Sequence, residues 1–363
     1  MALKRNIPNN GLPALPPNLE VESPEILKQL VLASRHLGTL NGLCAAMPDP
    51  SILTNTVILQ ESKDSSEIEG IVTSRDELYE AITGYGKVGV GAMEVLNYTE
   101  ALYQGMGTMT KRKGIISINL LSEIVQVIKG GMTGIRTTAG TPIKNMITGE
   151  TTYMPPEGAP VIREKLGELE RFINDNNYST LDPLIKMAMV HYQFIAISPF
   201  GEGDLRTGRI LNELYLVQQG LLPMPVLCMS GYIARNKLLY HQLIQGVTEN
   251  DNWRDWILYN LAGVAEAAQH TTSKARRLMS LKAKMEGELK RILGASYSPE
   301  LLQLMFESPY LKIELLDKRG LAHRQTASTW LKKLATAGVL TEQKKGKTLY
   351  FVNNRLMNIL TGQ

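Results

Sequence analysis

Cysteine is nearly absent from this chain: Cys44 and Cys228 are the only two in 363 residues. Two thiols so far apart exclude a disulfide framework and fit a reducing compartment. No apolar run approaches the roughly 18 residues a membrane helix needs, and the N-terminus lacks the apolar core of a signal peptide. A cytoplasmic protein with no membrane partner is the expectation. Strong charge of one sign is also missing, since the formal net charge is +4, but its placement is uneven. From Leu311 to Gln363, ten Lys and Arg face three Asp and Glu, a local +7 that leaves −3 for the rest. With 44% hydrophobic and 20% charged residues, the chain can bury a core large enough for two or three domains.

What is present is mostly helical periodicity. Pro8, Pro13, Pro16 and Pro17 make residues 1–23 an extended arm rather than a helix. From Pro24 the apolar residues Ile26, Leu30, Leu32, Ala33, Leu37 and Leu40 recur near helical spacing. A second helix is predicted from about Asp49 to Ile68, with Gly70 as its stop. Further helices are expected at 75–84, 93–103, 162–174, 181–195, 205–219, 233–247 and 253–293. Residues 130–160 differ: glycine- and threonine-rich runs followed by Pro155-Pro156 predict short strands joined by turns. The tail predicts a helix at 299–307, another at 313–319, a third at 325–336, then a hairpin from Val339-Leu340 and Thr348–Val352.

The stretch richest in chemistry is Ser198-Pro-Phe-Gly-Glu-Gly-Asp-Leu-Arg-Thr-Gly-Arg209. A glycine-rich turn opening a helix near Leu205 aims first-turn amides and the positive end of the helix dipole at whatever the turn presents, an arrangement suited to phosphate. Glu202 offers a hard oxygen ligand for Mg²⁺. Arg206 and Arg209, three apart on one helical face, can clamp phosphates with forked hydrogen bonds. Asp204 has three readings: a carboxylate that repels polyphosphate, a helix N-cap, or a second metal ligand beside Glu202. Leu205 adds a side chain where close backbone approach favours glycine.

This stretch resembles the signature of the Fic family, His-Pro-Phe-x-(Asp/Glu)-Gly-Asn-Gly-Arg-x-x-Arg, with Ser198, Asp204 and Leu205 at the His, Asn and second Gly. The family transfers AMP from ATP to a protein hydroxyl, with the motif His as general base. Serine has no group that titrates near neutrality, and loss of a general base removes on the order of 10² to 10⁴ in rate. His191, seven residues upstream and roughly 10 Å away along the helix, reads as a packing histidine. Activity is therefore expected to be weak or lost. The resemblance implies nucleotide contacts from Gly203, Asp204, Leu205, Arg206, Thr207, Gly208 and Arg209, with Ser198, Glu202 and Arg206 at the reacting centre. It also places Tyr232, Asn236 and Tyr240 at the adenine, with ATP and Mg²⁺ as cofactors.

Ser65-Ser66-Glu67-Ile68-Glu69-Gly70 is similar to the family's inhibitory motif, (Ser/Thr)-x-x-x-Glu-(Gly/Asn). Ser65 and Glu69 share a helix face. By resemblance Glu69 pairs with Arg209 where a γ-phosphate would sit, with Gly70 ending the motif. The hairpin at about 130–156 is similar to the family's flap, which docks a protein target by strand addition. The fold class is then mainly α: a Fic-type helical core with a small β-hairpin flap, plus a C-terminal winged-helix module. The divisions are 1–92 (arm and inhibitory region), 93–295 (core, with the loop at 198–209) and 296–363 (winged helix). The alternative function is a non-enzymatic regulator. Its tail would bind DNA or protein, with Arg324, Lys332, Lys333, Lys344, Lys345 and Lys347 facing the nucleic acid. A homodimer is left open.

Overall fold

The computed structural model describes residues 6–47, 49–82, 88–144, 149–345 and 348–361, and it is mainly α. Helix α1 (Pro24–Ala45) starts where the Ser23 hydroxyl accepts the Ile26 amide at 3.4 Å, with Pro24 in the first turn needing no donor. Helix α2 (Ser51–Ile68) stops at Gly70, whose φ of 80° suits glycine. Then come α3 (Arg75–Ile82), α4 (Val90–Lys111) and α5 (Ile118–Lys129).

Strands follow only in a short hairpin, β1 (Ile143–Lys144) and β2 (Thr151–Tyr153), with Ile143 opposite Tyr153 and Lys144 opposite Thr151. The hairpin is narrower than 130–156: Gly130 closes α5, and residues 131–142 form no strand. Over residues 6–23 the N-terminal arm is not helical but a series of turns and bends rather than a uniformly extended strand, and it packs beside this hairpin. The Asn9 amide donates to the Met154 carbonyl at 3.0 Å, and Gln193 donates to the Pro13 carbonyl at 2.7 Å. Leu12 and Leu15 are buried.

Helix α6 (Ala159–Asn174) leads into α7 (Pro183–Ile197) and α8 (Asp204–Gln218), which carry the two ends of the signature loop. Every residue from Leu184 to Ile197 is buried, as is every residue from Arg206 to Leu216. Helices buried on all sides lie at the centre of a domain, so the loop between them is anchored at both ends in the core. Around them run α9 (Ser230–Arg235), α10 (Lys237–Asn250) and α11 (Trp253–Leu293). At 41 residues α11 is about 60 Å long.

The C-terminal module has α12 (Pro299–Glu307), β3 (Tyr310–Leu311), α13 (Ile313–Lys318), α14 (Arg324–Thr336), β4 (Thr341–Lys345), β5 (Thr348–Val352) and α15 (Asn354–Thr361). Its sheet has three strands in the order β3-β5-β4, where sequence patterning suggested a two-stranded hairpin. β3 is two residues long, too short to show alternation, and Val339-Leu340 are buried ahead of β4 rather than part of it.

Candidate functional site

Ser198 caps α7 in the left-handed conformation, φ 44° and ψ 63°, its amide donating to the Phe194 carbonyl at 3.0 Å. The chain then turns through Gly201 and Gly203, both at positive φ, and α8 begins at Asp204. The Asp204 side chain turns back onto the loop. Its Oδ2 accepts from the Ser198 hydroxyl at 2.9 Å and from the Gly201 amide at 2.7 Å, and its Oδ1 accepts from the Phe200 amide at 3.1 Å. Burial raises this carboxyl to about 7, against the lowering effect of those hydrogen bonds and of the Arg136 charge.

This geometry corrects two readings of Asp204. It does not cap the first-turn amides of α8, because its acceptors are taken by amides of the preceding loop. Nor is it presented to a metal, since both oxygens are engaged inward. Among the described residues no group of three or more His, Cys, Asp or Glu could hold an ion. Glu202, exposed at the cavity rim, is the loop carboxylate that could share Mg²⁺ with phosphate oxygens.

The loop floors a cavity of about 560 Å³. Glu69, Ser198, Glu202, Gly203, Asp204, Leu205 and Arg206 line it together, with Thr141, Pro142 and Thr152 from the hairpin side. Both arginines are engaged by carboxylates. Arg206 Nη1 meets Glu94 at 2.5 Å. Buried Arg209 gives Nη2 to Glu69 Oε1 at 2.8 Å, Nε to the Ser65 hydroxyl at 2.8 Å and Nη2 to the Ser65 carbonyl at 3.1 Å. Its remaining Nη1 is buried with no hydrogen-bond partner among the described residues. Such an unmet donor costs about 1–3 kcal/mol and leaves the guanidinium able to gain from another acceptor.

Other expected contacts lie elsewhere. Gly208 faces α7, where an added Cβ would stand 3.2 Å from the Phe194 ring, and Thr207 is fully buried. Tyr232 lines a separate cavity of about 370 Å³ and tilts against Tyr259, ring centroids 5.0 Å apart. Asn236 donates to the Tyr232 carbonyl at 2.9 Å. Tyr240 is buried with its hydroxyl 2.9 Å from His191 Nε2. His191 stacks on Trp256 at 5.9 Å, its Nδ1 lies 3.3 Å from the Gly208 carbonyl, and burial pushes its imidazole down to about 3. It is a packing histidine. The α10 wall of the cavity consists instead of Leu238, His241, Gln242, Ile244 and Gln245.

Sequence reasoning missed two site residues, Glu94 and Arg136. Arg136 Nε donates to the Ser198 carbonyl at 2.6 Å; Nη2 donates to Ile197 at 3.1 Å and Pro156 at 2.5 Å, and Nη1 to Thr138 at 2.9 Å. Its own amide donates to Pro199 at 2.9 Å. One guanidinium therefore ties the segment before the hairpin to the signature loop. The signal was a lone arginine among glycines and threonines. In the C-terminal module Arg324 pairs with Glu314 at 3.2 Å, while Lys332, Lys333 and Lys344 are exposed. Lys345 ends β4, and Lys347 lies outside the described residues.

Three family models match the chain: Fic/DOC family N-terminal over residues 27–107, Fic/DOC family over 116–216, and Protein adenylyltransferase SoFic-like, C-terminal domain, over 281–356. The Caenorhabditis elegans protein adenylyltransferase fic-1 is 28% identical over 149 residues, 39% of this chain and 28% of that protein. The Drosophila melanogaster protein adenylyltransferase Fic is 33% identical over 72 residues, 20% of this chain and 14% of that protein. The chain thus spans well under a third of the length of these curated relatives. Among solved structures, a Fic family protein from Desulfovibrio desulfuricans G20 superposes with TM-score 0.60 at 17% identity, covering 93% of this chain and 98% of that one. C. elegans Fic-1 superposes with TM-score 0.52 at 20% identity, covering 70% and 73%. The loop between two buried helices, the helix that presents Glu69 and the three matching models lead to one conclusion: the chain belongs to the Fic/DOC family.

Proposed function

We propose that this protein is of the AMP-transferase lineage: its cavity takes a nucleoside triphosphate, ATP by kinship with the named adenylyltransferases, and Glu69 holds the site closed. The observation that carries the reading is the buried Arg209, hydrogen-bonded to Ser65 of α2 and to Glu69 at that helix's end, where Glu69 lines the cavity. A guanidinium so placed binds a phosphate when the carboxylate withdraws, because both ligands use the same forked geometry. Glu202 is the residue that would hold Mg²⁺, and the bound cation would offset phosphate charge. Leu205, half-buried against the core, narrows the cavity beside the loop. Transfer to a protein target seated on the hairpin is slow, because Ser198 stands where the family's general base belongs.

Thermal shift with Mg-ATP tests the reading. Glu69→Gly should be stabilised, by about 2.7 kcal/mol at a hundredfold excess over Kd, and the unmodified chain much less. No stabilisation of either removes nucleotide from the account.

A second reading rests on exposed Lys332, Lys333 and Lys344 of the winged-helix-like module. Together they make a surface fit for phosphate backbones.

A further inference from the structure

Family membership predicts an idle loop where its histidine is replaced, yet the loop here holds a hydroxyl against a carboxylate. Ser198 Oγ donates to Asp204 Oδ2 at 2.9 Å, and the two residues lie in the cavity lining, Asp204 almost fully buried. The serine is held in place. Its backbone sits at φ 44°, a conformation uncommon for a residue with a side chain and worth questioning at a binding site. Arg136 fixes the Ile197 and Ser198 carbonyls, one on each side of the Ser198 α-carbon. Among the described residues the hydroxyl's side-chain acceptor is Asp204, and His191 has both ring nitrogens engaged elsewhere. Asp204 is buried, and the Phe200 and Gly201 amides fix its orientation.

We propose that Ser198 is itself the acceptor of a nucleotidyl group, with Asp204 receiving its proton, so that the chain labels its own signature loop. The inference rests on the reading that the cavity takes a nucleoside triphosphate. The step is a substitution at the α-phosphorus. The Ser198 Oγ–Pα bond forms, the Pα–O bond to the β-phosphate breaks, and inorganic pyrophosphate leaves with the bonding electrons. The hydroxyl proton passes to Asp204 Oδ2. Nothing is oxidised or reduced, and no further reactant is required.

An aspartate that takes the proton of an attacking hydroxyl is established chemistry in phosphoryl transfer. Here the nucleophile needs no docking, because it is built into the site at hydrogen-bond distance from its base. A hydroxyl from a target protein would have to displace Ser198 from Asp204 before using it. Self-transfer is therefore the reaction this geometry favours. It is limited to one event per chain, because the product fills the cavity that bound the nucleotide.

The experiment uses the full chain with Mg-ATP in the Glu69→Gly background, which removes the carboxylate from Arg209. Intact-mass spectrometry with peptide mapping reads the product, and thermal shift reads binding in the same samples. Expected is one AMP adduct per chain, on Ser198. It should be absent with Ser198→Gly added, a change that suits the left-handed backbone. It should form about 100-fold more slowly or worse with Asp204→Asn added, while that variant still binds Mg-ATP. Three results overturn the proposal and leave nucleotide binding standing: Glu69→Gly binds Mg-ATP but gains no adduct, the adduct survives Ser198→Gly, or Asp204→Asn forms it at an unchanged rate. Failure of Glu69→Gly to bind Mg-ATP overturns the binding reading and this proposal together.

Discussion

Glu213 lies one helical turn beyond Arg209 and is buried at 4% exposure, with Leu227 donating to Oε2 at 3.3 Å. Beside it Glu61 accepts from the Ser230 amide at 2.9 Å, from the Ser230 hydroxyl and from the Tyr98 hydroxyl at 3.3 Å. Burial, then the neighbouring Glu61, push Glu213 well above the usual carboxylate range. The folded chain therefore keeps a proton that the unfolded chain loses near 4.5. Stability must fall as pH rises from there, since the folded state binds more protons. Glu213→Gln should accordingly gain at least about 1 kcal/mol over the parent at pH 8 and little at pH 5. Unfolding midpoints at the two pH values check this, and an equal gain at both would refute it. At this scale the sequence reveals residue types but not aim. Asp204 could be recognised as a carboxylate in the loop, but its turn toward Phe200 and Gly201 depends on the positive φ of Gly201 and Gly203. Arg136 could not be placed at all, because its partners at Pro156, Ile197 and Ser198 are distant in sequence.

Helices were legible because their apolar spacing is strong, and α2, α11, α12 and α14 lie within a residue or two of their predicted bounds. Which face of a helix turns outward is harder to read. On α10 the aromatic Tyr240 suggested a nucleobase contact, but its ring is worth more inside. It is 1% exposed, with Trp256 at 5.7 Å and His191 on its hydroxyl. That rotation leaves Leu238, His241, Gln242 and Gln245 on the opposite stripe, facing the cavity at i, i+3, i+4 and i+7. The prediction belongs to the helix as a unit. In the Glu69→Gly background, Gln242→Ala or Gln245→Ala should weaken Mg-ATP binding several-fold. Tyr240→Phe should leave binding unchanged and cost about 1 kcal/mol of stability through the lost hydrogen bond to His191. Calorimetric titration of the three variants separates the faces, and a binding loss confined to Tyr240→Phe would reverse the assignment.

Across the whole molecule one helix joins the parts. α11 packs on α1, α7 and α10 in the body, and on α12, α14 and α15 in the C-terminal module. The apolar core runs without a break from Leu12 to Ile359. Met285, Leu289 and Leu293 on the last turns of α11 are at most 7% exposed, and Arg355 reaches back to Glu288 at 2.7 Å. Composition marks the tail as a separate basic unit, but charge lies on the surface and is blind to a core shared beneath it. Removing residues 296–363 would bare those three side chains, a loss of roughly 4.5–9 kcal/mol at roughly 1.5–3 kcal/mol for each large apolar group, comparable to a domain's whole stability. Deletion therefore cannot separate DNA binding from folding. Replacing Lys332, Lys333 and Lys344 by Glu can, since all three are exposed and surface changes usually shift stability by less than about 0.5 kcal/mol. If the module contacts DNA, the full chain should retard a duplex at low salt and lose that retardation steeply as salt rises. The triple variant should retard nothing while unfolding at the parent's midpoint. Retardation by the triple variant equal to the parent's would move any nucleic-acid surface away from α14 and β4.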